Sequence, residues 1–112
     1  MKVLQVIDKL NVGGAERVCV DLTNLMFEKN INVSILTFDS KGKLQEDLHQ
    51  QIFKINLNRK NKYNILKAYR LSKIIKQYDI VHVHMRHVYR YVKLVSLLFF
   101  VKTPVILHDH TS

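Results

Sequence analysis

The chain has 112 residues, of which 47% are hydrophobic and 24% are charged. These values are typical of a single folded domain and exclude a disordered chain. Lysine and arginine exceed aspartate and glutamate by 18 to 9, and the net charge of +9 predicts attraction to polyanions, which include nucleic acid, anionic lipid surfaces and phosphorylated compounds. Three glycines and one proline are too few for an all-β chain, and the single cysteine, Cys19, excludes an internal disulfide.

Strand-like and helix-like patterns alternate along the chain. Apolar, partly β-branched runs predict strands at residues 2–7, 31–38, 51–57, 79–84 and 104–108. Apolar residues spaced by three and four predict helices at residues 15–28, 61–77 and 88–102. This alternation predicts an α/β, Rossmann-like doubly wound domain with a mainly parallel sheet in the order 3-2-1-4-5. The last predicted strand is not followed by a closing helix, so we expect a truncated or partial domain.

Neither a membrane span nor a signal peptide is expected. The longest apolar stretch, residues 94–100, is far shorter than a bilayer requires. The short apolar run after Met1 and Lys2 is interrupted at once by Asp8 and Lys9, unlike a signal peptide. These features favour a cytoplasmic location.

The predicted strand order brings three loops to one edge of the sheet. In open parallel sheets, ligands bind beyond the carboxyl ends of the strands, where the strand order reverses. The loops after the first, fourth and fifth strands are residues 11–14, 84–87 and 108–111. We therefore expect the functional site to lie where these loops meet.

Gly13 and Gly14 stand between the first strand and the first helix. Glycine permits close approach to the backbone, and free N–H groups at a helix N-terminus favour an anion. The segment matches neither G-x-G-x-x-G nor a lysine-containing phosphate loop. From the glycines alone, a simple turn is slightly favoured over an anion site.

Four histidines form two H-x-H pairs on neighbouring predicted strands. Burial with a backbone partner is the preferred interpretation of His82 and His108, whereas His84 and His110, at the strand ends, are better placed to contact a ligand. A histidine metal site is a further alternative, although the spacing matches no structural zinc pattern.

Basic residues are concentrated in the second half of the chain, interspersed with tyrosines. Such residues usually form a solvated surface, but the charge imbalance raises the alternative of an anionic membrane surface. Nucleic acid is not expected as a partner, because no recognition motif is present.

Three segments together resemble the N-terminal domain of family 4 retaining glycosyltransferases, which have the GT-B fold. They are MKVLQVIDKLNVGGAERVCVDL, YDIVHVHM and TPVILHDHTS. The resemblance covers essentially the whole chain. It implies that residues 1–112 form a single acceptor-side domain, the N-terminal half of a GT-B fold.

The resemblance implies roles for several candidate residues. Gly13 and Gly14 would approach the diphosphate of a nucleotide-sugar, and His110 would be the catalytic histidine near the reacting carbon of the donor sugar. His84 would line the same cleft, toward the acceptor. Independently of the resemblance, Arg86 and Asp109 are expected to line the cleft because they lie in the loops at this edge, although a solvated strand-end carboxylate is the favoured interpretation of Asp109. The nucleotide-sugar is a substrate, no cofactor is implied, and the family usually needs no metal.

The resemblance also implies a missing partner. The family's basic pair for the diphosphate and its E-x7-E carboxylates belong to a C-terminal domain, which we do not expect within these 112 residues. We therefore expect these 112 residues alone not to transfer sugar. The expected acceptor is a glycan or a lipid-linked compound, with action on the inner face of the membrane. The alternative is a non-catalytic Rossmann-like module that binds a phosphorylated ligand or a partner protein.

Overall fold

A computed structural model describes residues 1–10, 13–39, 42–58 and 64–108. Within these ranges, five parallel strands form one sheet in the order β3-β2-β1-β4-β5. The strands are β1 (Lys2–Ile7), β2 (Asn32–Thr37), β3 (Phe53–Asn56), β4 (Ile80–His84) and β5 (Val105–His108). The helices are α1 (Gly14–Glu28), α2 (Ile65–Ile75) and α3 (Arg86–Leu98), with a short 3-10 segment at Lys43–Asp47. The predicted Rossmann-like fold and strand order are confirmed.

Helices cover both faces of the sheet. On one face, Ile7 and Ile35 pack against Cys19 of α1. On the other, Leu4 packs in one cluster with Leu71 of α2 and Val92 of α3. This arrangement follows from right-handed crossovers, which place the helices on opposite faces when the strand order reverses at β1 and β4. Within the described ranges, no helix is both long and apolar enough to span a membrane.

The ends of α2 and α3 differ from the sequence prediction for identifiable reasons. The side chain of Asn64 accepts hydrogen bonds from the backbone N–H groups of Leu66 and Lys67, at 3.0 and 3.2 Å, so α2 begins at Ile65. Met85 turns the chain directly from β4 into α3, which begins two residues before its predicted start. After α3, Phe100 has a left-handed φ of 56°, which ends the helix before its predicted last residue.

The 3-10 segment is an element that the sequence prediction missed. Leu44 and Leu48 bury their side chains against the α1 side of the sheet. Arg17 of α1 contacts Asp47 at 2.5 Å, and Asn24 donates to the carbonyl oxygen of Asp47 at 2.8 Å. These contacts attach the end of the 3-10 segment to α1.

Cys19 makes a testable contribution to stability. Burial raises the pKa of its thiol from 9.0 to about 12; the hydrogen bond with Thr23 acts in the opposite direction, and Glu16 adds to the rise. Because the folded-state pKa is raised, this contribution is complete below the unfolded pKa and is lost as pH rises toward the folded value. Between pH 9.0 and about 12, we expect the free energy of unfolding to fall more steeply in the wild type than in Cys19→Ala.

The expected difference in slope is up to about 1.4 kcal/mol per pH unit. Urea unfolding of both proteins across this range measures it. Comparing slopes removes the constant cost of the cavity that the substitution creates. Parallel curves for the two proteins would show that the thiol does not titrate differently in the folded state.

Candidate functional site

The first part of the site is the turn that leads from β1 into α1. Gly13 is the N-cap of α1, with extended dihedrals of φ −177° and ψ 170°, and its carbonyl oxygen accepts from the N–H of Arg17 at 2.9 Å. Gly14 is the first helical residue and is exposed. The N-terminus of α1 therefore points to the carboxyl edge of the sheet, by which we mean the edge where β1, β4 and β5 end.

The two glycines are not required by the backbone conformation of this turn. Neither has a positive φ, and a Cβ built on Gly14 meets no atom of the described residues within 4 Å. A Cβ on Gly13 would lie 2.6 Å from Oε2 of Glu16, which is the end of a flexible side chain. Alanine therefore fits at Gly14 without any rearrangement of the described residues, and the turn alone does not explain the glycine.

The carboxylate of Glu16 lies against Gly13 at the start of α1. Glu16 is the third helical residue, and it is the acidic residue in the first turn of α1. A negative charge at this position is stabilised by the unpaired N–H groups and by the helix dipole. The N-terminus of α1 thus already holds an anionic group, supplied by the protein itself.

The 3-10 segment and the residue before it pack against the residues that precede this turn. The N–H of Leu44 donates to the carbonyl oxygen of Leu10 at 3.0 Å. A Cβ on Gly42 would overlap the backbone of Leu10, so only glycine lets the two main chains come this close. The N–H groups of Phe38 and Asp39 both donate to the carbonyl oxygen of Asp8, at 2.8 and 2.9 Å. These bonds fix the backbone at residues 8–10, just before the glycines.

The second part of the site is the end of β4. The ring of His84 is fully buried, and its Nε2 lies 2.7 Å from Oε1 of Gln5, which is also fully buried on β1. An amide oxygen only accepts hydrogen bonds, so Nε2 of His84 carries the proton. The amide nitrogen of Gln5 in turn contacts the sulfur of Met26 at 3.2 Å. His84 therefore connects β4 to β1 beneath the carboxyl edge.

The three histidines of β4 and β5 form one row of rings. The centroid of His84 lies 4.6 Å from that of His82 and 5.5 Å from that of His108. His82 and His108 are half-buried, so the interpretation that they are the buried pair was wrong. The buried ring is that of His84, because the other two rings flank it and Gln5 lies beside it. Over the described ranges, no group of three metal-ligating side chains is positioned to hold a metal ion.

Met85 follows His84 and has an unusual backbone conformation. Its φ of 87° lies in the left-handed region, which costs a non-glycine residue about 1–3 kcal/mol. The side chain packs against the apolar clusters on both faces of the sheet. Packing on two sides holds Met85 in this conformation. The strained turn directs the chain into α3, whose N-terminus lies at the carboxyl edge.

Residues at the start of α3 meet the end of β1. Arg86 is the first residue of α3 and is exposed. Nε2 of His87 lies 3.4 Å from Oδ2 of Asp8, which directly follows β1. The end of β1 and the first turn of α3 are therefore in contact, and the N-termini of α1 and α3 lie at one edge.

The structure brings together four of the predicted site residues at this edge: Gly13, Gly14, His84 and Arg86. Asp109 and His110 lie outside the described residues, although β5 ends beside β4 with His108 opposite His84. Sequence reasoning placed Met85 and His87 in one of the loops at this edge without an individual role, and it did not single out Gln5. Gln5 carried a usable signal, because it is the one polar residue within the apolar run of β1.

An open groove of about 640 Å³ lies at the other end of the sheet. Its lining includes Val3 and Ile80, which stand near the starts of β1 and β4, and Met26 near the end of α1. His82 and Ile106 border it from β4 and β5. The groove is mostly apolar and is separate from the carboxyl edge.

Comparison with known proteins supports a family assignment. The sequence model described as Glycosyltransferase Family 4 matches residues 12–112. Comparison with curated proteins gives no significant match. Among solved structures, the chain is similar to the C-terminal domain of a hydrogenase from Pyrococcus furiosus, with 16% sequence identity, a TM-score of 0.53, and coverage of 98% of this chain and 91% of that one. At this identity, the likeness shows the fold alone.

Proposed function

Because the chain belongs to glycosyltransferase family 4, we propose that it is the acceptor-side domain of an enzyme that moves a sugar from a nucleotide-sugar to a glycan or lipid-linked acceptor. In this reaction, the bond between the anomeric carbon and the diphosphate oxygen breaks. A bond from the same carbon to an acceptor hydroxyl oxygen forms, with retention of configuration. The acceptor loses its proton, and the nucleoside diphosphate leaves with the additional negative charge.

The space beside Gly14, which no described residue occupies, is the observation that carries this proposal. A diphosphate oxygen needs close access to backbone N–H groups, and a side chain at Gly14 would occupy that approach. The start of α3 lies on the same edge, and Arg86 adds a cation there. Electrostatic stabilisation of a leaving group is usually the largest catalytic term, so these groups suit the departing diphosphate.

The other candidate residues take supporting roles. The bond from His84 to Gln5 makes His84 a positioning residue that holds β4 against β1. We assign the donor-sugar contact to His110, as the family resemblance implies, and a cleft-lining role to Asp109, which follows the same strand. We assign the remaining diphosphate ligands to a second, C-terminal domain, as the family resemblance implies. The reaction takes place on the cytoplasmic side of a membrane.

Glu16→Gln tests whether the start of α1 is the anion site. The carboxylate of Glu16 lies against Gly13, where the diphosphate would bind, so removal of its charge favours the ligand. We expect the dissociation constant for inorganic pyrophosphate to fall about fivefold, because the substitution removes a Coulomb repulsion between Glu16 and the ligand on the order of 1 kcal/mol. The same change should lower stability by about 0.3–1 kcal/mol, because the helix dipole loses its carboxylate.

Glu46→Gln is the matched control, because it removes the same charge from an exposed position in the 3-10 segment. NMR titration with pyrophosphate measures the affinities, and urea unfolding measures the stabilities. If Glu46→Gln tightens binding as much as Glu16→Gln does, the effect comes from net charge alone and the anion site is not at α1.

A further inference from the structure

The net positive charge of this protein comes from the second half of the chain. Residues 1–47 contain six lysines and arginines and seven acidic residues, a net charge of −1. Residues 48–108 contain 12 lysines and arginines and one acidic residue, Asp79, a net charge of +11. Asp109 adds one more negative charge, so the net charge of the whole chain is +9. α1 and the 3-10 segment belong to the first part. Residues 65–98, from the start of α2 to the end of α3, contain seven lysines and arginines and one acidic residue, so the side of the sheet that these two helices cover is strongly basic.

The side formed by α2 and α3 also exposes large apolar side chains. Leu66 is 75% exposed, Leu97 is 72% exposed and Phe100 is 86% exposed. Leu94, Leu97 and Leu98 are spaced by three and four on α3, so they share its outer surface. We call the following six exposed residues the apolar patch: Leu66, Tyr69, Leu94, Leu97, Leu98 and Phe100.

A ring contact joins α2 to the end of α3 beside this patch. The ring of Tyr69 on α2 lies 5.7 Å from that of Phe99, which follows α3. On α3, Tyr91 packs against Phe38 near the end of β2, so this flank of the helix faces α2. Leu94 and Leu98 follow Tyr91 by three and seven residues and lie on the same flank. The exposed apolar residues of α2 and α3 therefore face a shared surface.

Exposed cations surround the patch. Nζ of Lys73 lies 5.2 Å from the centre of the Tyr69 ring. The exposed basic residues of α2, α3 and the turn after α3 include Arg70, Lys73, Arg90, Lys93 and Lys102. Arg90 and Lys93 precede Leu94 and Leu97 by four residues, on the same side of α3. No acidic residue occurs between Ile80 and His108, so the sequence supplies no counter-charge there.

We propose that this side of α2 and α3 binds the interface of an anionic lipid bilayer. Apolar side chains enter the boundary between headgroups and acyl chains, and surrounding lysines and arginines pair with anionic headgroups. Charge complementarity argues for this partner, and the exposed leucines argue against nucleic acid, which would leave them in water. The patch uses none of the residues assigned to the carboxyl edge, so the proposal does not depend on the transfer reaction.

Vesicle sedimentation of the 112-residue chain tests this proposal. Vesicles of neutral phosphatidylcholine are compared with vesicles that contain phosphatidylglycerol, at low and high salt. We expect binding to the anionic vesicles and its loss at high salt. Each basic residue near an anionic surface contributes roughly a factor of five, so Arg90→Glu with Lys93→Glu should weaken binding at least about 25-fold.

The apolar contribution is tested separately by Leu94→Ser combined with Leu97→Ser. These residues are exposed, so the fold should be retained, which circular dichroism checks. We expect vesicle binding to weaken on the order of tenfold. The matched controls on α1 are Leu25→Ser, another exposed leucine, and Lys29→Glu, an exposed lysine just after that helix. Both controls should bind vesicles as the wild type does.

Several results would overturn the proposal. One is the absence of binding to anionic vesicles at low salt, and another is equal binding to neutral ones. Equal loss in the α1 controls would show that net charge, not this surface, determines binding. If the serine variants bind vesicles normally but convert a dimer to a monomer, the patch is covered by a second copy of the chain. A further contradicting result is that the chain binds a DNA duplex but not vesicles. If the leucine substitutions leave that DNA binding unchanged, the basic surface binds nucleic acid and not lipid.

Discussion

Replacing Gly14 with alanine is expected to raise the stability of the domain slightly and to weaken pyrophosphate binding at least tenfold. A Cβ at this position meets no described atom within 4 Å, and the backbone has no positive φ. Alanine in the first turn of α1 should therefore gain up to about 1 kcal/mol from its helix propensity. The same methyl group would stand where a diphosphate oxygen approaches the N–H groups of α1.

The opposite signs of these two effects make the variant informative. Urea unfolding gives the change in stability, and NMR titration gives the change in affinity. A substitution that simply damages the turn would lower both quantities together. If Gly14→Ala binds pyrophosphate as the wild type does, the glycine is only part of a turn and does not contact the anion.

Replacing Gly42 with alanine is expected to lower the free energy of unfolding by about 1–3 kcal/mol. A Cβ there would overlap the backbone of Leu10, which a change of rotamer cannot relieve. The hydrogen bond from Leu44 to Leu10, at 3.0 Å, would also be disturbed. The residue is not in a left-handed conformation, so the loss comes from this close approach alone.

Gly14→Ala is the matched control, because it adds the same methyl group at an open position. Urea unfolding of the two variants and the wild type measures the difference. If Gly42→Ala is as stable as Gly14→Ala, the 3-10 segment does not pack closely on residues 8–10. In that case the 3-10 segment does not fix the backbone of residues 8–10, which precede the glycine turn.

The strand order could be predicted from the sequence because it depends on local patterns and one chirality rule. Apolar runs and helical spacing identified five strands and three helices, and right-handed crossovers then left few arrangements. The 3-10 segment could not be predicted in this way. It is held by contacts with distant residues, such as Arg17 with Asp47, and carries no periodic pattern of its own.

The sequence predicted which residues of β4 share a face of the sheet, but not which of them are buried. Alternation along β4 correctly placed His82 and His84 on one face, as their ring contact shows. Which of the two rings is buried depends on neighbours from other strands, and Gln5 is 79 residues away in sequence. The conformation of Met85 likewise depends on packing from both faces of the sheet, which no short sequence pattern encodes.

The central claim, that the carboxyl edge binds a diphosphate, is tested most directly by mapping amide chemical shifts during a pyrophosphate titration. We predict that the largest shifts occur at Gly13, Gly14 and Ala15, with smaller ones at Arg86 and His87. These residues form the starts of α1 and α3. Shifts confined to the lysines and arginines of α2 and the far end of α3, with none at the glycines, would contradict the account.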